Sequence, residues 1–371
     1  MIKKLLFAMI TFVAVACSTS PEKSNLDVYI WCGSGPGTTE EALDAQMAGY
    51  KARGLKGIFY NVSFDNLELI EKASRIAKKN GLEFHTWIPT LLQSKRDEIQ
   101  EDWYIVSREG YNAYEKPAFV DYYKFLCPNR DEVYEYLSAK YQAVADIKDV
   151  DGIHLDYIRF PDVYLAPGLW EKYGLEMTEE FAPFDYCYCD KCVADFEAIY
   201  GFDIRELGDS AQTNLEWRQF RQDVVTKLVN KLVEDVHSHD KEISAAVFPG
   251  PSLSKKMVRQ EWDKWNLDIT IPMLYNDFYL EDTNWIGEMT KEGVEATEGK
   301  SKFISGIFVC SKPEKKNVEK DPEGHGLLVE DLKPAIDNAM DNGAKAICIF
   351  GTMTPEHWDE LARIKAEYNK K

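Results

Sequence analysis

From Leu26 onward the chain repeats one pattern: a short apolar run rich in β-branched and aromatic residues, a polar loop, then apolar residues at helical spacing. The runs fall at 27–32, 57–62, 83–88, 152–158, 243–248, 268–274, 303–309 and 344–350. They are near-continuously apolar, as strands covered on both faces are. The intervening spacing predicts helices over 38–53, 66–80, 130–147, 214–237, 254–265, 284–296, 332–342 and 355–368. The first opens on Thr38-Thr39-Glu40-Glu41, a capping-box-like start, and stops at Gly54. Eight strand–helix units in series predict an α/β fold, a closed (β/α)8 TIM barrel. An open doubly wound sheet is the competing arrangement, but no phosphate-cradling glycine fingerprint follows any run. No Gly/Ser/Pro-rich linker interrupts the series, so residues 26–371 are expected to form one domain with insertions.

Two connections are long: 90–129 after the third strand and 161–213 after the fourth. Both should emerge at the carboxyl end of the barrel, where barrel enzymes build their sites. Their aromatic residues (Trp103, Tyr104, Tyr111, Tyr114, Tyr122, Tyr123, Trp170, Tyr173) are expected to wall a substrate cleft.

Composition narrows the function classes. Of 371 residues, 45% are hydrophobic and 13% aromatic, enough for a large core, which excludes a disordered or collagen-like chain. Lys plus Arg number 44 against 63 Asp plus Glu, a net charge of -19 that repels phosphate backbones; no nucleic-acid partner is expected. Residues 1–16 join two lysines to an apolar run too short to span a bilayer, an export signal. Ala14-Val15-Ala16-Cys17 resembles a bacterial lipobox, with Ala14 where Leu is usual. The resemblance implies that Cys17 is lipidated, that 17–25 is lipidated Cys plus polar tether, and that the lipid alone holds the protein at the bacterial cell envelope. Ordinary secretion with an incidental Cys is the alternative.

The fourth run and its exit read D-G-I-H-L-D-Y-I-R-F-P from Asp151 to Pro161. A period of two puts His154, Asp156 and Ile158 on one face and Ile153, Leu155 and Tyr157 on the other. Polar groups on a buried strand are costly unless paired or used. If that face is the lumen, Asp156 sits at the catalytic mouth; a structural Asp held by Arg159 or a neighbouring strand is the competing reading.

The motif G-I-H-L-D-Y-I-R-F-P resembles the strand-4 signature of the family-10-like glycosyl hydrolases, bacterial barrel proteins often secreted as lipoproteins. Leu126-Cys127-Pro128-Asn129, the stretch from Gln260 to Trp265, and D-I-T-I-P-M-L-Y from Asp268 to Tyr275 extend the resemblance over most of the domain. It implies carbohydrate hydrolysis, with an oligo- or polysaccharide substrate and no catalytic cofactor. Such hydrolysis needs two carboxyl groups across the scissile bond, one ionised and one protonated. Asp156 is the candidate nucleophile or transition-state stabiliser. The fifth run ends without a carboxylate, whereas the sixth leads to Asp277. A strand-4 and strand-6 Asp pair is similar to that of α-galactosidase-like barrels and makes Asp277 the candidate general acid, although it could equally cap a turn. Glu261, expected on a helix, and Asp162, Asp185 and Glu115 in loops stay open as alternatives. Trp31, Asn61, His85, Trp87, His154, Arg159, Tyr275 and Asn276 are expected to stack on and hydrogen-bond the sugar. A non-catalytic glycan-binding barrel and an enzyme modifying cell-wall glycan are the other readings.

Of eight cysteines, Cys32, Cys310 and Cys348 lie on or beside strands as small hydrophobes. Cys187, Cys189 and Cys192 form C-x-C-x-x-C, and Cys127 arrives from the other long loop. Four thiolates suit a closed structural zinc site; in an exported chain, disulfides are the alternative, and free thiols a third. The spacing is similar to the zinc site of family 42 β-galactosidases.

Overall fold

The computed structural model describes residues 25–94, 97–315 and 324–370. The expected export signal, Cys17 and all but the last residue of the tether lie outside the described residues. Eight strands close into one parallel barrel in sequence order. They are β1 Val28–Cys32, β2 Gly57–Asn61, β3 Glu83–Pro89 and β4 Gly152–Asp156. They continue as β5 Glu242–Val247, β6 Ile269–Pro272, β7 Lys302–Phe308 and β8 Ala346–Phe350. The (β/α)8 barrel read from the hydrophobic pattern is the fold of this chain.

The helices are α1 Glu40–Ala52, α2 Leu67–Lys79, α3 Asp131–Ala145, α4 Trp170–Tyr173, α5 Asp190–Tyr200 and α6 Leu215–His237. After them come α7 Pro251–Val258, α8 Asn276–Tyr279, α9 Thr283–Thr297, α10 Val329–Asp341 and α11 Pro355–Tyr368. Their starts are set by side chains that accept orphan backbone N–H groups: Thr39 caps α1, Asn66 α2, Asn214 α6 and Thr354 α11. Strands 4 and 6 end at Asp156 and Pro272, short of the runs read at 152–158 and 268–274, and α5 forms within the long connection 161–213. The helix expected over 254–265 stops at Val258, because Arg259 turns left-handed (φ 59°). Gln260 then inserts under the strand ends, accepting from Phe248 N at 2.9 Å and donating to the Ile158 carbonyl at 3.2 Å. Its polar bonds outweigh continuing a helix.

Strand alternation sorts two cores. Tyr29, Trp31, Phe59, Ile269, Ile271, Ile304, Ala346 and Cys348 pack inside the barrel. Val28, Ile30, Ile58, Ile153, Leu155 and Ile347 face outward into the core under the helices. The register sets Trp87 beside His154 and Pro89 beside Asp156, so the lumen face of β3 and β4 rises in layers toward the mouth.

The two long loops are tied to each other. Ser107 bridges to Tyr186, and Arg108 lies 3.8 Å from buried Asp185. Asp185 also pairs with Arg221 of α6, and Arg259 binds Glu180 at 2.5 Å. Burial disfavours ionised Asp185, but Arg221 and Arg259 beside it hold its carboxyl below the usual range. Asp185 is thus a structural ion and not a cleft carboxylate. Four of the eight loop aromatics expected to wall the cleft pack instead on other rings: Tyr104 and Tyr114 on each other, Trp103 on Tyr136 of α3, and Tyr173 on Phe119. Of those eight, only Tyr123 lines the cavity described next.

Candidate active site

A cavity of about 340 Å3 opens at the carboxyl ends of the strands, lined by Trp31, Trp87, Tyr123, Asp156, Arg159, Asp162 and Tyr275 among others. Asp156 ends β4 on the lumen face and is 7% exposed. Each of its oxygens accepts one hydrogen bond: Trp87 Nε1–H donates to Oδ2 at 2.8 Å and the Tyr157 N–H to Oδ1 at 2.7 Å. Burial nevertheless pushes its carboxyl above the usual range, against these two donors and Arg159. The strand alternation ends there. Tyr157 has φ +49°, which turns its ring back over the cavity instead of outward as a period of two requires.

Asp162 is the second carboxylate of the lining. It forms an ion pair with Arg159 Nη1 at 3.1 Å. Arg159 also donates to the Phe160 carbonyl at 2.9 Å and sits among the rings of Phe248, Tyr157, Phe125 and Tyr123, with centroids at 4.9–5.8 Å. Four strand ends supply the aromatic wall: Trp31, Trp87, Tyr275 and Phe350. The Trp31, Trp87 and Phe350 centroids lie 6.2–6.4 Å apart, and Tyr275 stacks on Phe350 at 5.6 Å. Gly306 permits this, since a Cβ there would meet the Trp31 ring at 2.6 Å.

Several expected site residues are placed elsewhere. Asp277, the candidate acid, lies in the first turn of α8 and accepts from the Gly326 N–H at 2.8 Å; it does not line the cavity. Asn276 is likewise spent on its own turn, donating to the Glu281 carbonyl at 2.8 Å. His154 lies in the lumen beneath the wall. Its Nε2 accepts from Trp31 Nε1–H at 2.9 Å, which leaves the proton on Nδ1 to meet Ser244 Oγ at 2.8 Å. Burial first, then His85, drives its pKa well below the ordinary value, so it is a neutral strut for Trp31. His85 is deeper still, level with Gly152 and Glu242 at the other end of the barrel, and burial lowers it to about 4. Asn61 lines an adjoining chamber and not the cavity of Asp156. Trp31, Trp87, Arg159 and Tyr275 line the cavity. Glu261 is buried against Lys264 and Gln219, and Glu115 is exposed outside the cavity.

Phe350, Phe278 and Tyr157 were not anticipated. Phe350 was findable, since Ala346, Cys348 and Phe350 share a face at a spacing of two and strand 8 ends there. Tyr157 lies just past the end of β4 and Phe278 on the short α8, where strand periodicity does not reach.

The raised Asp156 carboxyl carries a stability consequence. A folded-state pKa above the unfolded one means that the native protein binds the extra proton, so stability falls as pH rises from the ordinary carboxylate range through the raised value. Asp156→Asn removes this titration but turns an NH2 toward one of the two donors, a pH-independent cost of about 1–3 kcal/mol. Thermal melts of both proteins from acid to neutral pH should therefore show Asp156→Asn gaining on wild type as pH rises; parallel curves would refute the burial argument.

Away from the cavity, the sulfurs of Cys127, Cys187, Cys189 and Cys192 converge, all within 4.8 Å of one another and all buried. Cys127 Sγ lies 3.5 Å from Cys192, 3.7 Å from Cys187 and 3.8 Å from Cys189. None is in a disulfide. Tetrahedral zinc with Zn–S near 2.3 Å needs sulfurs about 3.8 Å apart, so the donor set fits that ion. No open position remains for a catalytic role.

No family model matches the chain, and no curated protein matches it. Solved structures do. The glycoside hydrolase domain of PgaB (BpsB) from Bordetella bronchiseptica superposes with a TM-score of 0.61 at 12% identity, over 92% of this chain and 98% of that one. A β-galactosidase from the psychrophilic Marinomonas ef1 gives 0.61 at 11% identity, over 93% of this chain and 60% of its own length. The α-galactosidase from Lactobacillus brevis gives 0.52 at 12%, over 94% of this chain and 41% of that one. This chain thus shares its barrel fold with glycoside hydrolases, spanning under two thirds of the two galactosidases.

Proposed function

We propose that this protein is a glycoside hydrolase cleaving O-glycosidic bonds of an oligo- or polysaccharide with Asp156 and Asp162. The carrying observation is that two carboxylates with different partners, Asp156 on Trp87 and Asp162 on Arg159, line one aromatic-walled cavity at the mouth of the barrel. Asp156, whose burial favours the protonated form, is the proton donor to the departing glycosidic oxygen. Asp162, held by Arg159, is the second carboxyl group, which faces the anomeric centre or activates water. This reverses the part expected for Asp156 and replaces Asp277 by Asp162. Trp31, Trp87, Tyr275 and Phe350 offer the flat faces on which sugar rings stack. The barrel neighbours named as glycoside hydrolases support the reading at the level of fold.

Zinc held by Cys127, Cys187, Cys189 and Cys192 would pin the two long loops that carry Tyr123 and Asp162. Lipidation of Cys17 would hold the enzyme at the bacterial envelope; no helix among the described residues is long and apolar enough to cross a membrane. The test is a panel of soluble polysaccharides scored for released reducing ends, run with wild type and Asp156→Asn. Turnover that the substitution leaves unchanged would sink the assignment.

A further inference from the structure

The cavity of Asp156 does not end at its aromatic wall. Trp31, Trp87, Tyr157 and Phe350 also line a second, larger chamber of about 850 Å3, so one set of rings divides and joins the two volumes. The second chamber lies over β1 and β8, whose connections to the next helices, 33–39 and 351–354, are short. The mouth is thus walled high by the loops after β3 and β4 and low on the opposite side. A ligand longer than the first cavity can continue toward that low side. Together the two chambers exceed the roughly 300–1,000 Å3 of an ordinary small-molecule site.

The chemistry of the second lining differs from the first. Ser34, Gln46, Asn61 and Thr352 bring hydroxyl and amide groups, and Trp358 a further ring. Gln46 is oriented by bonds to the Gly33 carbonyl at 3.2 Å and Tyr50 Oη at 3.1 Å. Among the described residues no carboxylate lines this chamber, in a chain that carries 63 acidic residues. Its one guanidinium, Arg53, lies over Trp358 at 4.8 Å and donates to the Gly49 carbonyl at 3.1 Å. A cationic amino sugar would find no counter-charge here. An anionic sugar would enter against a net charge of -19 with one engaged arginine to receive it.

We infer that the second chamber is an additional glycan-binding site that takes consecutive uncharged sugar units of the same chain that reaches Asp156. The inference rests on the glycoside hydrolase reading and deepens it: the substrate is a neutral glycan bound along several units, not a disaccharide. Stacking faces recur from one chamber to the next, as a repeating polymer requires.

The test is calorimetric binding to the Asp156→Asn protein, which does not depend on turnover. Size ladders of cello-, xylo-, manno- and galacto-oligosaccharides are the neutral probes, chitosan oligomers the cationic one and oligogalacturonates the anionic one. For at least one neutral ladder, Kd should fall about tenfold or more from dimer to pentamer, each tenfold being about 1.4 kcal/mol. Thr352 is exposed on a short loop, so Thr352→Trp fills the chamber without disturbing the core and should bring the pentamer down to the dimer's affinity. Affinity independent of length, a gain that survives Thr352→Trp, or a gain confined to the charged ladders overturns this inference while leaving the hydrolase reading intact. Failure of every ladder to bind overturns both.

Discussion

Replacing Asp156 by Asn should lower kcat on a cleaved glycan by about 10²–10⁴-fold, the range for removing a general acid. KM should change little by comparison. The amide keeps the size of the carboxyl and can still accept from Trp87 Nε1–H or the Tyr157 N–H, which now meet the two oxygens at 2.8 and 2.7 Å. The sugar therefore finds the same aromatic wall, and what disappears is the proton that the leaving oxygen needs. The pH profile supplies the control. A buried carboxyl with a raised pKa keeps its proton above the ordinary carboxylate range, so wild-type activity should decline on the alkaline side as Asp156 ionises. That limb should vanish in the residual activity of Asp156→Asn. A loss confined to KM would mean that Asp156 binds and does not react.

The second large effect concerns the four cysteines. Purified without chelators, the protein should carry about one zinc per chain, and Cys192→Ser or Cys127→Ser should lose it. Where zinc stands at a thousandfold above its Kd, its removal costs about 4 kcal/mol. For a domain of this size that is a fall in Tm of about 5–6 °C. The loss should begin in the long loops, because Cys127 belongs to one and Cys187, Cys189 and Cys192 to the other or the helix that it enters. Limited proteolysis of the apo protein should cut within 90–129 or 161–213 before the barrel. Metal analysis finding no zinc, with Tm unaffected by either substitution, would leave the cluster as four buried thiols.

The barrel was legible because strands buried on both faces write themselves as apolar runs, and because lumen parity follows from a period of two. That parity put Asp156, Trp31 and Trp87 on the face that lines the cavity. It misplaced His85 and His154, since a lumen-facing residue reaches ligand only in the top layer, and the layer depends on the stagger between strands. The period says nothing past the last paired residue: Tyr157 leaves it through a positive φ. The same limit separated Asp277 from Asp162. Both follow a strand by a few residues, but α8 aims one at Gly326 N–H while the Arg159 pair holds the other in the cavity. The helix read over 254–265 failed because Gln260 is worth more as a buried bridge between strand exits. Convergence of the four sulfurs was suggested by spacing alone, since three of them lie within six residues.

The central claim is that Asp156 and Asp162 flank the bond that is cut. A crystal structure of Asp156→Asn with an intact oligosaccharide tests it most directly. The account predicts a glycosidic oxygen within hydrogen-bond reach of residue 156, about 2.6–3.2 Å, with the Asp162 carboxylate on the adjoining sugar. A glycan seated with every glycosidic oxygen remote from residue 156, or with Asp162 turned away from it, would contradict the account.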